Sequence, residues 1–398
     1  MKTLKPLALI CALTLLLSSC RYLSWQSADP PQENYNDPTK YIEEFQDNLQ
    51  YRQLNDVEKH GYGQIYTAIR DSEKENSFIT DTAGNRLPGV RIPLSNIRFT
   101  SEQMSHLFEV FFRDNPRFFY LDRTFSLEGY DQGNQTVYST FLLQFTMDTE
   151  QRLRAIGELD RTMATILAAC PRSDDDYEVE LYLHNRLLSS CVYDVEAASA
   201  SSTEYANAYS AYGALVEGKA VCEGYAKAMQ LLLTSVSIPA TVILGNAVED
   251  NEPHMWNVVT INGRDYYLDP TWNDDDGYIQ YTYFNVTTEM LLRTHIPEER
   301  SYAVDCVTVT DNYHYRNGTY IDTYERDVIA EVVANRIAAG DTAISLRFAE
   351  GKFENALLFF KNASLTQRTV NKYLQNGKMW EYEFRTQARQ GTILICKK

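Results

Sequence analysis

The sequence is short of basic residues. Its 37 lysines and arginines face 54 aspartates and glutamates over 398 residues, a formal net charge of −17. That balance argues against phosphate-led binding of nucleic acid and against docking on an anionic bilayer through a basic face. Histidine is scarce too, six in all, and none falls at the spacing of a metal-ligand set, so neither a metal nor another cofactor is expected. No glycine-rich phosphate cradle is present, and no internal repeat or low-complexity segment. After the N-terminal apolar stretch, no run is long and apolar enough to span a bilayer. Seven cysteines are few for a chain of this size, and those not otherwise employed are expected as buried small hydrophobes rather than disulfides.

What is present begins at the N-terminus. Two lysines in "MKTLK" precede "PLALICALTLLL", which is too short to cross a bilayer comfortably, and then comes "LSSC", Leu17 to Cys20. This resembles a bacterial lipoprotein signal. The resemblance implies that Cys20 is lipidated and becomes the new N-terminus, anchoring the protein at the extracytoplasmic face of a bacterial cell membrane. Residues 21–39 read as a polar, proline-containing tether. Fully extended, they would reach up to ~60 Å.

The length predicts two to three domains. Residues 40–170 read as an N-terminal α+β unit. It has helical spacing over 40–70, a helix "SEQMSHLFEVFFRDNP" capped by Ser101, strands in "RFFYL", "TFSLEGY" and "TVYSTFLLQFTM", and a helix over 149–169. Residues 171–318 form a central unit and 319–398 a small α+β domain without a chemical motif.

The chemistry concentrates in the central unit. "VCEGYAKAMQLLL" starts at Val221, after the loop glycines Gly213 and Gly218, and is apolar on most sides. It predicts a buried helix packed on a sheet, with Cys222 at its N-terminus. There, free backbone N–H groups and the helix dipole favour thiolate over thiol. Gly224 in the first turn costs ~1 kcal/mol against alanine, which is explained if another backbone or a substrate approaches closely there. Taken alone, a cysteine opening a buried helix is a core thiol.

A second stretch changes that reading. In "HMWNVVTINGRDYYLDPTW", Asn262-Gly263 marks a two-residue hairpin turn. Ile261 then faces Arg264 and Trp256 lies opposite Asp269. His254 shares a face with Trp256 and is diagonal to Asp269, within bridging distance of an imidazole and a carboxylate. Such a bond fixes the ring's tautomer and raises the basicity of its other nitrogen. A thiol, an imidazole and an orienting third group are the arrangement that acyl transfer requires.

Residues 203–296 resemble the bacterial transglutaminase-like domain, a branch of the papain-like thiol hydrolases. The resemblance is carried by "AYGALVEGKAVCEGYAKAMQLLL", "SIPATVILGN", "HMWNVV", "YYLDPTWND" and "YFNVTTEMLLRTHI". It implies an α+β fold with a buried helix on an antiparallel sheet, Cys222 as nucleophile, His254 as general base and acid, and Asp269 as the orienting carboxylate. Papain-like enzymes add an upstream side-chain donor to the oxyanion hole. With no glutamine over 203–221, Tyr209 and Tyr212 are the candidates, Tyr209 preferred, beside the Cys222 backbone N–H. Trp256 and Trp272 are expected to wall the site. The implied partner is a protein or peptide amide, peptidoglycan peptides included. Hydrolysis is favoured on the expectation of a solvent-facing site, with amine transfer by a crosslinking transglutaminase, or an idle binding or scaffolding module, as alternatives. "NDDDG", Asn273 to Gly277, reads as a solvated turn.

Overall fold

The computed structural model describes residues 21–24 and 35–398 apart from 82–83, 95–98, 133–134, 201–204, 276, 299–301 and 303. The expected lipoprotein signal with Cys20 lies outside them. Among the described residues, no helix is long and apolar enough to cross a membrane. The fold is α+β, with three principal sheets, each with its own apolar core.

The first sheet has the order β1-β4-β5-β3-β2. Its strands are β1 (Arg21–Ser24), β2 (Phe78–Thr80), β3 (Arg86–Pro93), β4 (Leu121–Gln132) and β5 (Gln135–Phe145). Helices α1 (Asp56–Ser72) and α2 (Ser101–Asp114) bury Tyr62, Ile65 and Phe111 in a core shared with Leu127 and Phe141. The helical spacing over 40–70 resolves into α1 preceded by short 3-10 turns at Ile42–Glu44 and Tyr51–Gln53. The cap of α2 is Thr100 rather than Ser101. The Thr100 hydroxyl accepts from the Gln103 N–H while the Gln103 side chain accepts from the Thr100 N–H, a reciprocal pair that fixes the first turn. "RFFYL" is a turn up to Leu121, its aromatic content serving the core rather than a strand. The tether expectation also needs correction. β1 pairs in parallel with β4, and Gln64 and Thr67 of α1 donate to the carbonyls of Asn36 and Asp37.

Helix α3 (Thr149–Ala168) packs on both the first and the central unit. Ala155, Leu159, Met163 and Ile166 enter the core of the central unit, while Ile156 packs against the first core and the buried Arg152 donates to the Ser72, Glu73 and Glu75 carbonyls.

The central unit runs through α4 (Asp176–Leu188), β6 (Val192–Tyr193), α5 (Val195–Ser199), β7 (Lys219–Ala220), α6 (Cys222–Thr234), β8 (Ala240–Ala247), β9 (Pro253–Ile261), β10 (Arg264–Leu268) and α7 (Pro270–Asn273). It continues with β11 (Asp274–Asp275), β12 (Tyr278–Ile279), α8 (Thr288–Leu291), β13 (His295–Pro297) and α9 (Tyr313–Arg316). Its sheet has the order β10-β9-β8-β13 and is antiparallel throughout. Helix α6 is buried except at Leu231 and Thr234, as its apolar circumference requires, and it packs on β8 and β9. The β9–β10 turn has Asn262 at φ 50° and Gly263 at φ 74°, the left-handed pair of a type I′ turn. Its register, Ile261 opposite Arg264 and Asn257 opposite Leu268, is the one the sequence predicts.

The last unit adds β14 (Tyr320–Ile321), α10 (Arg326–Ala338), β15 (Ala343–Phe348), α11 (Phe353–Lys361), α12 (Ala363–Val370), β16 (Tyr382–Gln387) and β17 (Thr392–Lys397), in a sheet ordered β14-β15-β17-β16. Cys170, Cys191, Cys222, Cys306 and Cys396 are all free thiols.

Candidate active site

Cys222 is the first residue of α6. Val221 precedes it as a cap that makes no side-chain hydrogen bond, so the first-turn N–H groups keep their donors for something other than a capping side chain. The sulfur sits among Ala226, Val242, Leu244 and Met255. Gly224 has the role its position predicts. A Cβ there would come within 2.5 Å of the Ala208 carbonyl oxygen and 2.7 Å of the Ala220 Cβ. The close approach is to backbone of the preceding loop, which seats the first turn of α6. Gly224→Ala is therefore expected to destabilise the fold by about 1–3 kcal/mol, read as a lower melting temperature together with altered Cys222 reactivity.

His254 lies on β9, and Asp269 ends the hairpin as the cap of α7. Asp269 Oδ1 accepts from the backbone N–H groups of Thr271 (2.9 Å) and Trp272 (3.2 Å), with Pro270 at the helix's first position, where its missing N–H costs nothing. Oδ2 is thereby left to face the sheet. His254 Nε2 bonds to it at 2.8 Å, the contact that the hairpin register predicts. The Cys222 sulfur is near enough to the same ring to help raise its pKa, and with Nε2 engaged, Nδ1 is the nitrogen left for the sulfur. Burial opposes charge on this ring, but the Asp269 carboxylate and the Cys222 sulfur more than offset it and raise its pKa to about 10. Asp269 is fully buried; burial alone would push its carboxyl up, but the two facing imidazoles hold it well below the usual carboxylate range.

A consequence for stability follows from linkage. The folded value of His254 exceeds its ordinary 6.5, so its contribution is complete below about pH 6.5 and is lost as pH rises through about 10. Melting temperatures between pH 7 and 10 should fall in the native chain, and His254→Gln should lack that component of the slope.

The sequence reading missed His295. It begins β13, beside β8, and its Nε2 lies 3.2 Å from the same Asp269 Oδ2. Facing a carboxylate, Nε2 carries the proton, which leaves Nδ1 to pair with Thr294 Oγ1 at 2.9 Å. Burial lowers the pKa of this ring despite the carboxylate. His254, Asp269 and His295 bring three metal-ligand-type atoms within 4.8 Å of one another, a proximity that sequence spacing does not reveal. Those atoms are engaged with each other, and Asp269 Oδ1 with backbone. The only trace of His295 in the sequence is its place in "YFNVTTEMLLRTHI".

Two indoles bracket the imidazoles, as expected of Trp256 and Trp272. The His254 ring stacks on Trp272 at 4.8 Å and on Trp256 at 5.9 Å, and the same indoles contact His295 at 4.4 and 4.7 Å. They shield the ion pair from water and thereby strengthen it.

The tyrosines are corrected as oxyanion donors. The Tyr209 hydroxyl donates to the Ala197 carbonyl at 3.0 Å. The Tyr212 hydroxyl donates to Glu158 of α3 at 2.6 Å, and its ring stacks on Phe119. Each phenol has one proton, and each is spent on packing. Of the expected donors, the backbone N–H of Cys222 is the candidate left. The site is also less open than expected, with Cys222 7% and His254 6% exposed. "NDDDG" is not simply solvated. Asp274 accepts from Tyr225, and Asp275 pairs with Arg385.

Residues 167–281 match the family described as the transglutaminase-like superfamily. Among solved structures, the chain is similar to one described as a TGase, with 14% identity over 50% of this chain and 56% of that one, at a TM-score of 0.27. It is also similar to a proposed cysteine protease from Cytophaga hutchinsonii, with 16% identity over 44% and 66% at a TM-score of 0.26. A proposed protease from Parabacteroides distasonis gives 11% identity over 36% and 35% at a TM-score of 0.22. The chain spans less than two thirds of the length of each. No curated protein matches it. Cys222, His254 and Asp269 all lie within the matched residues, and the chain carries a domain of the transglutaminase-like superfamily.

Proposed function

We propose that this protein is a cell-envelope thiol enzyme that forms an acyl-enzyme on Cys222 from an amide substrate and releases it to water, as a peptidase or amidase. One observation carries the reading: the 2.8 Å bond from His254 Nε2 to Asp269, which leaves Nδ1 of the ring for Cys222. His254 takes the thiol proton on Nδ1, and the sulfur adds to the amide carbonyl. The oxyanion is held by the Cys222 N–H at the start of α6. His254 returns the proton to the leaving nitrogen as the C–N bond breaks, and an amine departs. A water deprotonated by His254 then attacks the thioester, freeing a carboxylic acid and restoring the thiol.

The narrow exposure of Cys222 favours water over a protein-borne amine in the second step, because water is small and abundant while a lysine must enter behind the acyl group. Lipidation at Cys20 would hold this chemistry at the extracytoplasmic membrane face, within reach of envelope proteins and peptidoglycan peptides. A glutamine peptide supplied with and without a fluorescent primary amine tests the choice. Release of ammonia or peptide without amine incorporation is expected. Amine incorporation would instead identify a crosslinking transglutaminase. Equal labelling of all five described thiols by a reactive probe at pH 6 would point to an idle scaffold.

A further inference from the structure

Strand β4 contains an irregularity beside the active site. Leu121 pairs with Phe145 and Phe125 with Leu143, so Asp122, Arg123 and Thr124 stand against the single residue Gln144. The bulge is built rather than loose. Asp122 Oδ1 accepts from both the backbone N–H (2.8 Å) and the hydroxyl (2.6 Å) of Thr124. Bulges re-aim side chains, and this one sends Arg123 out of the first unit onto the neighbour of the nucleophile. Its Nη2 pairs with Glu223, and its guanidinium lies over the Tyr209 ring at 5.1 Å.

Glu223 does not need Arg123 for charge balance. Lys227, one turn along α6, already pairs with its other oxygen at 2.8 Å. Glu223 and Lys227 are buried, whereas the Arg123 side chain keeps 31% of its surface exposed. Its Nε and Nη1 have no hydrogen-bond partner among the described residues. The three side chains together carry one positive charge in excess, in a chain whose net charge is −17. A solvent-reachable guanidinium with spare donors, fixed against an aromatic face, is suited to a carboxylate.

Resting on the thiol-enzyme reading above, we propose that Arg123 is a specificity-determining residue that binds a carboxylate of the substrate beside the scissile amide, so that the preferred substrates are acidic amides or peptides. The first unit then contributes directly to the site, and local positive charge overcomes the repulsion that an anionic substrate meets from the rest of the surface.

Iodoacetate and iodoacetamide test this without a known substrate. Both alkylate a thiolate with loss of iodide, and they differ in bearing a carboxylate or a neutral amide. The rate ratio of iodoacetate to iodoacetamide at Cys222 cancels any general change in sulfur nucleophilicity. It should fall by roughly tenfold or more in Arg123→Gln. Arg123→Lys, which keeps the charge and a Glu223 partner but loses the fork, should be intermediate. In the native chain, iodoacetate labelling should saturate with concentration while iodoacetamide labelling stays linear. Rapid labelling by both reagents with a ratio unchanged in both variants would overturn the role of Arg123 alone. Failure of both reagents to label Cys222 would overturn the thiol-enzyme reading and this one with it, whereas labelling by iodoacetamide alone would overturn only the role of Arg123.

Discussion

Asp269→Asn is expected to lower amide turnover by roughly 1,000- to 10,000-fold, the scale seen when an orienting carboxylate of a catalytic triad is made an amide. The reason is donor geometry. Asp269 accepts four hydrogen bonds, from two imidazoles on Oδ2 and two backbone N–H groups on Oδ1. An asparagine has one oxygen. If that oxygen faces the rings, its NH2 confronts the N–H groups of Thr271 and Trp272. If it faces the backbone, its NH2 confronts both ring N–H groups. Either orientation sets donor against donor in a fully buried place, at about 1–3 kcal/mol for each unsatisfied group. The cheaper escape is for His254 to change tautomer, which puts the proton on Nδ1 and presents Cys222 with a donor where it needs an acceptor. Alkylation at pH 6 should fall by less than turnover, because the sulfur can still ionise without an oriented ring. Turnover reduced by less than tenfold in a variant that melts normally would remove Asp269 from the mechanism.

The second large effect is that of His254→Ala. An ordinary cysteine, with a pKa of about 8.5, is only about 0.3% thiolate at pH 6. Without the ring as proton acceptor, Cys222 should label roughly 100-fold more slowly there than in the native chain, and amide turnover should fall by 10,000-fold or more. The labelling deficit should shrink as pH approaches 9, where any thiol ionises. A deficit constant across pH would instead indicate steric disturbance of α6. Trp272, stacked on the ring at 4.8 Å, would lose that face but keep its contacts with His295 and Tyr283.

The part of the site that the sequence reveals is the part that local geometry controls. Asn262-Gly263 dictates its own turn, the turn dictates register, and register brings His254 diagonal to Asp269. Cys222 and Gly224 are legible because a helix start and an out-of-place glycine are local signals. What stayed hidden depends on elements that meet only in three dimensions. His295 sits on a three-residue strand whose pairing with β8 leaves no periodicity to read. Arg123 arrives from another sheet through a bulge that depends on register in β4 and β5. The tyrosines failed because a phenol's direction is set by its acceptor, and both acceptors, the Ala197 carbonyl and Glu158, lie outside the loop that suggested them. Helix α3 reads as part of the unit it follows and does pack on it, but most of its buried stripe serves the next core.

The central claim is that His254 carries a proton through neutral pH because a carboxylate and a sulfur share its ring. Nitrogen-15 NMR of the imidazole tests it most directly. In the native chain the ring should remain an imidazolium until about pH 10, and Cys222→Ala should lower that midpoint while the bond to Asp269 keeps it above an ordinary histidine. A ring that titrates near 6.5, with the same midpoint in Cys222→Ala, would contradict the account.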